Sequence, residues 1–225
     1  MRLTLNLLLI LLLTVQCKNV EEIDWLETKK SRNYIDYATY IQKHPNTGNF
    51  SKALSEYFFL RDSIADFGGC YRFNASIRVT KNAKVLFDDE LKSLDSLRFY
   101  TFQYLKNGKL NISSSLKTDI QIPESNLKDS ISTGRFDIVI YEKPFPIKNL
   151  KIVLTEISKG IEDYNEFLAK KWFKKPYSEL DNGKKKAIEK LNNKRLLFFD
   201  FSDMNVEHIN QPPLPQTDYE IETEK

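Results

Sequence analysis

Apolar residues crowd the start of the chain. From Leu3 to Val15 only Thr4, Asn6 and Thr14 interrupt the run, Arg2 precedes it and Cys17 closes it. The pattern then turns polar at Lys18-Asn19-Val20-Glu21-Glu22. A positive start, a short apolar run and an abrupt polar switch predict a secretion signal. The run falls short of the about 20 apolar residues a bilayer crossing needs. A cysteine at its end points to a bacterial lipoprotein, cut before Cys17 and acylated on it. Thr14 and Gln16 stand where such signals usually carry Leu and a small residue. The competing reading is simple secretion.

Beyond the signal the pattern predicts helices first. Val20 to Lys43 reads helical, with Trp25, Tyr34, Tyr37, Ala38 and Ile41 near three- and four-residue spacing except across Lys29-Lys30. His44 to Asn49 reads as a turn. Ser51 then offers a cap for a second helix whose apolar face is Ala53, Leu54, Tyr57, Phe58 and Leu60. After Gly68-Gly69-Cys70 the period changes to two: Ile77 and Val79 alternate with Arg78 and Thr80, and Val85 and Phe87 continue the alternation. Leu91, Leu94, Leu97, Thr101 and Tyr104 return to a helical period. Leu110 to Gly134 mixes extended and loop signals. Phe136 to Tyr141 reads as a central strand, because its middle is apolar without alternation. A wide stripe from Leu150 through Ile157 and Ile161 to Trp172 is the strongest helix signal. A basic segment and a last strand, Leu196 to Phe201, follow.

This order predicts an α+β fold: an N-terminal helical hairpin, then a mixed sheet of four or five strands with two helices on one face. The expected organisation is a signal segment with its lipidation Cys over 1–17, the hairpin over 18–67, the α+β domain over 70–204 and a disordered acidic tail over 205–225. The span from Phe73 to Asp203 holds all the expected sheet elements, so it is expected to fold alone.

Composition changes this picture little. Net charge is +3 over 225 residues, too small to imply nucleic acid. Charge placement is uneven: ten Lys/Arg lie between Lys170 and Arg195, and the chain from Asp200 onward carries seven acids and one Lys. The plainer reading is a solvated helix and tail; the functional one is a basic face for an acidic surface or for the tail itself. Two cysteines exclude a disulfide scaffold, and a Cys17–Cys70 bridge arises only if Cys17 is not acylated. His44 and His208 are the two histidines and do not share a ligand spacing, so no metal or cofactor is expected. Asp88-Asp89-Glu90 reads as a hairpin exit and helix start, where acids favour the positive helix end. No Gly-x-Ser-x-Gly, phosphate-loop or dinucleotide signature is present. No catalytic residue is therefore assigned, and Cys17 is the one predicted site residue, as the lipid attachment point.

Several segments resemble the periplasmic domain of the ExbD/TolR biopolymer-transport family, in its Bacteroidetes ExbD branch. Ser76 to Leu86 resembles the family's first hairpin. Tyr164-Asn165-Glu166-Phe167 resembles its Y-N-E-L helix segment. Phe173-Lys174-Lys175-Pro176-Tyr177-Ser178-Glu179-Leu180 resembles its K-F-G-K-P-Y-x-E-L, and is the most specific of the three. The resemblance covers Phe73 to Asp203, weakest over Leu110 to Gly134. The chain departs from the family before Glu21, where no Asp or Glu occurs, so the family's transmembrane proton-coupling aspartate has no counterpart. The resemblance implies a non-enzymatic accessory binding protein of an ExbD/TolR/TonB-type transport or envelope-tethering system, periplasm-facing and membrane-anchored by lipid. Its implied partners are TonB-, ExbD- or peptidoglycan-type, or a second copy as a homodimer, reached through a sheet edge. The alternative is an envelope interaction module unrelated to transport that binds through the N-terminal hairpin. That hairpin resembles one unit of a tetratricopeptide-like protein, and a single unit must pack on something.

Overall fold

The structure is a computed structural model and describes residues 20–62, 74–80, 84–107, 109–110, 113–114, 117–122, 128–140 and 147–200. Cys17, Cys70, His208 and the acidic tail lie outside these residues.

The N-terminal region holds one more helix than the apolar pattern suggests. Helix α1 spans 20–31 and α2 spans Tyr34–Lys43. The break falls at Arg32, whose φ of 49° leaves the helical region, and Asn33 restarts the helix by accepting a hydrogen bond from the Ile35 N–H at 2.9 Å. This corrects the continuous helix expected from Val20 to Lys43. Helix α3 (Phe50–Asp62) completes the expected hairpin with α2. It starts one residue before Ser51, which sits in the first turn and not at the cap.

A five-stranded mixed sheet forms the centre. Strands β1 (Ala75–Val79), β2 (Val85–Phe87) and β3 (Glu90–Lys92) are antiparallel neighbours. Asp88 and Asp89 form the two-residue turn between β2 and β3, with φ of 50° and 66°. Positive φ at both positions is what a tight primed hairpin turn demands. The acidic cluster expected to open a helix is thus a hairpin turn; the helix α4 starts later, over Leu94–Asn107. Two short hairpins follow: β4 (Lys109–Leu110) with β5 (Ser113–Ser114), and β6 (Lys117–Gln121) with β7 (Lys128–Ser132). Strand β8 (Phe136–Ile140) is buried along its whole length and runs parallel to β1 on one side. Its other side carries β9 (Leu196–Asp200), also parallel. The sheet order is β3-β2-β1-β8-β9. Between β8 and β9 the chain forms α5 (Ile147–Phe173), a single 3-10 turn at Tyr177–Glu179 and α6 (Asn182–Asn192).

Register places Ile77, Phe87, Ile138 and Phe198 side by side on one face. Helices α4 and α5 pair over that face, and Phe87 and Phe136 meet Tyr100 and Tyr104 of α4. The fold is therefore α+β, with a mixed five-stranded sheet covered on one face by two helices. Gly160 sits where α4 and α5 approach most closely: a Cβ there would stand 2.6 Å from Thr101 Cβ and 2.7 Å from the Arg98 carbonyl. The β6–β7 hairpin is pinned to the end of α5 by Asp129, which accepts from Trp172 Nε1 and Lys171 Nζ at 2.6 and 2.7 Å. Burial works against that carboxylate, but these two donors outweigh it and hold its pKa below the usual range.

The helical hairpin shares this core. Trp25, Tyr37, Ile41, Phe50 and Tyr57 belong to the same buried cluster as Ile77, Ile138, Ile157 and Phe198. Tyr57 stacks edge-on to Phe198 and also accepts its backbone N–H at 3.0 Å. Arg61 donates to the Phe198 carbonyl and covers the Phe199 ring at 4.0 Å. The backbone N–H and C=O of Phe198 point outward from the β8–β9 ladder, so α3 occupies the sheet edge at that point with side-chain hydrogen bonds.

Candidate functional site

A cleft of about 740 Å³ lies between the α1–α2 pair on one side and α5, the 3-10 turn and α6 on the other. Its floor is made of amides. Gln42, the penultimate residue of α2, donates through Nε2 to the Asn192 carbonyl at 2.9 Å and accepts the Arg195 N–H through Oε1 at 3.2 Å. Asn192, at the end of α6, donates to Asn165 Oδ1 of α5 at 2.6 Å. The Ser158 hydroxyl closes the floor on the Gln42 carbonyl at 2.7 Å. Residues more than a hundred positions apart thus meet because α2 crosses the junction of α5, α6 and β9.

Arg195 underpins this floor. It is 3% exposed. Its guanidinium donates to the carbonyls of Gly134 at 2.7 Å and Ser132 at 2.9 Å, and to Asn192 Oδ1 at 2.8 Å. Burial pulls its pKa down to about 10, with Tyr164 and Tyr104 acting in the opposite sense, so it stays charged at neutral pH. A buried charge held by carbonyl dipoles ties the β7–β8 turn to the end of α6 and fixes where Asn192 presents its side chain.

The walls carry acids. Asp24 of α1 meets His44 Nε2 at 2.8 Å. Glu166 of α5 accepts the Tyr177 N–H at 2.7 Å and the Lys170 ammonium at 2.9 Å; Lys170 first and that N–H second hold its pKa below the ordinary carboxylate range. The Tyr177 hydroxyl donates to Glu189 of α6 at 2.6 Å, and burial with this bond raises the phenol pKa. Asp163 pairs with Arg98 at the outer rim. Glu162 also lines the wall, at an exposed position. Carboxylates and amide groups together suit a polar partner that presents N–H, ammonium or hydroxyl donors.

Two of the sequence segments that carry the family resemblance meet here. Tyr164–Phe167 lies on α5 and Pro176–Leu180 on the 3-10 turn, and the Glu166–Tyr177 bond joins them. His44, read from sequence as a turn residue, is the C-cap of α2 and Asp24's partner. Cys17 cannot be placed, as it lies outside the described residues. Sequence reasoning missed Gln42, Asn165, Asn192 and Arg195. The available signal was a polar residue on the apolar face of two helices: Gln42 stands four positions after Ala38, and Asn165 four after Ile161.

Among the described residues no group of three or more His, Cys, Asp or Glu has a metal-holding arrangement, and no helix is long and apolar enough to cross a membrane. The fold and cleft define an α+β domain with a helical cover and a polar, acid-walled groove. Comparison with family models, with curated proteins and with solved structures gives no match.

Proposed function

We propose that this protein is a lipid-anchored, non-enzymatic binding protein of the cell envelope, an accessory to an ExbD/TolR/TonB-type transport or tethering system. The observation that carries the reading is the convergence of Tyr164–Phe167 with Pro176–Leu180 at one cleft. The mixed sheet beside it, ordered β3-β2-β1-β8-β9 with α4 after β3 and α5 and α6 between β8 and β9, adds support. Its carboxylates mostly serve as acceptors for neighbouring side chains and backbone, an arrangement that builds a surface for recognition. The lipid anchor rests on Cys17 and the apolar run before it.

The test is purification of the full chain from envelope membranes in mild detergent. A TonB- or ExbB-type protein in the complex is the expected result, and Glu162→Lys at the cleft wall should reduce its recovery. Complexes without any such protein remove the transport reading. A second reading, binding through the helical hairpin, has its own observation. Phe59 of α3 is 72% exposed beside a groove of about 400 Å³ that Lys29, Arg32 and Lys52 line. A partner whose recovery depends on Phe59 and not on Glu162 would favour it.

A further inference from the structure

Helix α1 packs through one face and leaves its aliphatic residues on the other. Trp25 and Thr28 are buried, Glu21 accepts from Tyr40 and Asn49, and Asp24 pairs with His44. Val20, Ile23 and Leu26 are 56%, 53% and 48% exposed. A residue two positions further on lies about 200° round a helix. Ile23 and Trp25 therefore project to opposite sides, as do Leu26 and Thr28. A solvated helix face ordinarily carries polar residues; this one carries Val20, Ile23 and Leu26, flanked by the exposed Glu22 and Glu27, with Lys30 one turn on.

The place of this stripe in the chain says what it meets. Val20 is three positions after Cys17. Three residues span at most about 11 Å, less than half the roughly 30 Å hydrocarbon thickness of a bilayer. A membrane that holds Cys17 therefore holds the start of α1 at its surface. We infer that α1 lies along the bilayer surface, with Val20, Ile23 and Leu26 in the interfacial layer and the Lys30 stem reaching back to the headgroups. The occupant of the stripe is a lipid surface. This deepens the proposed function and rests on its reading of Cys17 as the anchor. One acyl group alone would leave the domain to swing. A helix fixed to α2 by Trp25, Glu21 and Asp24 would instead set its orientation, and the cleft that Val20 and Asp24 line would open beside the membrane.

The experiment uses the full chain, isolated from membranes and reconstituted into phosphatidylcholine–phosphatidylglycerol vesicles with brominated acyl chains. Leu26→Trp reports on the stripe, and Phe99→Trp, at an exposed position of α4, reports on the α4 surface. Each is read against the parent, whose Trp25 and Trp172 are buried. The expected result is about twofold quenching of the new Leu26→Trp signal, with Phe99→Trp unaffected. Adding Ile23→Glu to Leu26→Trp should abolish the difference. The mass of the Cys17 peptide is measured on the same sample. Acylated Cys17 with no extra quenching at position 26 overturns this proposal and leaves the anchor standing. A Cys17 without acyl groups removes the anchor; quenching at position 26 in that sample would still support the stripe's contact with lipid, and its absence would remove both.

Discussion

Replacement of Gly160 by Ala tests the packing on which the whole helical cover depends. In isolation the change should help, because Ala is favoured over Gly inside a helix by about 1 kcal/mol. At this position the added methyl would meet Thr101 Cβ at 2.6 Å, the Arg98 carbonyl at 2.7 Å and Thr101 Cγ2 at 2.8 Å. Carbon atoms normally rest about 3.5–4.0 Å apart. Two of the three obstacles are a helix backbone oxygen and a Cβ fixed to it, so no rotamer change relieves them. Helices α4 and α5 must separate by the better part of an ångström along their closest contact. Overpacking of this kind costs about 1–3 kcal/mol, at the upper end where the obstacles are fixed to a helix backbone, so that after the propensity gain of about 1 kcal/mol a net loss of about 2 kcal/mol remains. For a chain of this size each kcal/mol lowers the melting temperature by about 2–4 °C. The assay is thermal unfolding followed by circular dichroism, with Gly48→Ala as control. A Cβ at Gly48 meets nothing within 4 Å, so that variant should melt within a degree or two of wild type. A Gly160→Ala protein that melts at or above the wild-type temperature would refute the close α4–α5 approach.

Four further outcomes follow from named contacts. Burial raises the Asp137 carboxyl from 3.8 to about 6, with Asn74, Arg61 and Arg135 pulling the other way. The native state therefore keeps a proton that the unfolded chain gives up, and wild type should lose of order 1–3 kcal/mol as pH rises from about 4 to about 6. Asp137→Asn keeps an acceptor for Asn74 and should remove that slope in urea titrations. Arg195→Ala strands the Gly134 and Ser132 carbonyls and Asn192 Oδ1 in the interior and should cost about 3–5 kcal/mol by urea unfolding; Arg195→Lys should recover little, because a point charge cannot span three acceptors. Tyr57→Phe removes the acceptor of the buried Phe198 N–H and should cost about 1–2 kcal/mol in the same assay. A fragment over 70–204 lacks the residues of α1–α3 that complete the core, so it should give no cooperative melt, whereas the full chain gives one.

How much of this was legible in sequence depended on whether the signal was local. Helix α5 announced itself because ten of its residues are buried at helical spacing. Strand β8 did so because all five of its residues are buried, which erases alternation. The break between α1 and α2 was hidden, since neither Gly nor Pro marks it; only Asn33, a good cap residue, stood as a clue. The β2–β3 turn was hidden for a related reason: Asp-Asp adopts the positive φ values that Asp-Gly usually supplies. The cleft floor could not be read at all. Gln42 and Asn192 are joined across 150 positions, and no periodicity encodes such a pairing. Gly160 was legible in principle, because a glycine in mid-helix costs stability unless something needs its missing side chain.

The covering of the sheet redirects the search for a partner surface. A short mixed sheet suggests strand addition at its edges, but each edge here is blunted by a physical device. On β9 the outward backbone groups of Phe198 are taken by Tyr57 and Arg61. On the opposite side β3 is three residues long and carries a Glu90–Lys92 pair at 2.6 Å, the short charged edge that discourages pairing. The same hairpin that closes the β9 edge holds α1 in place and presents Gln42 to the cleft. One element therefore connects the three features that bear on function: the sheet edge, the polar groove and the outward stripe of α1. Exposing the edge by removing Tyr57 and Arg61 would also loosen α3 against β9, so gain of self-association in such a variant would not identify the native interface. Variants at Glu162 and Ile23, both exposed and outside the core, leave the fold intact and separate recognition at the groove from contact with the membrane.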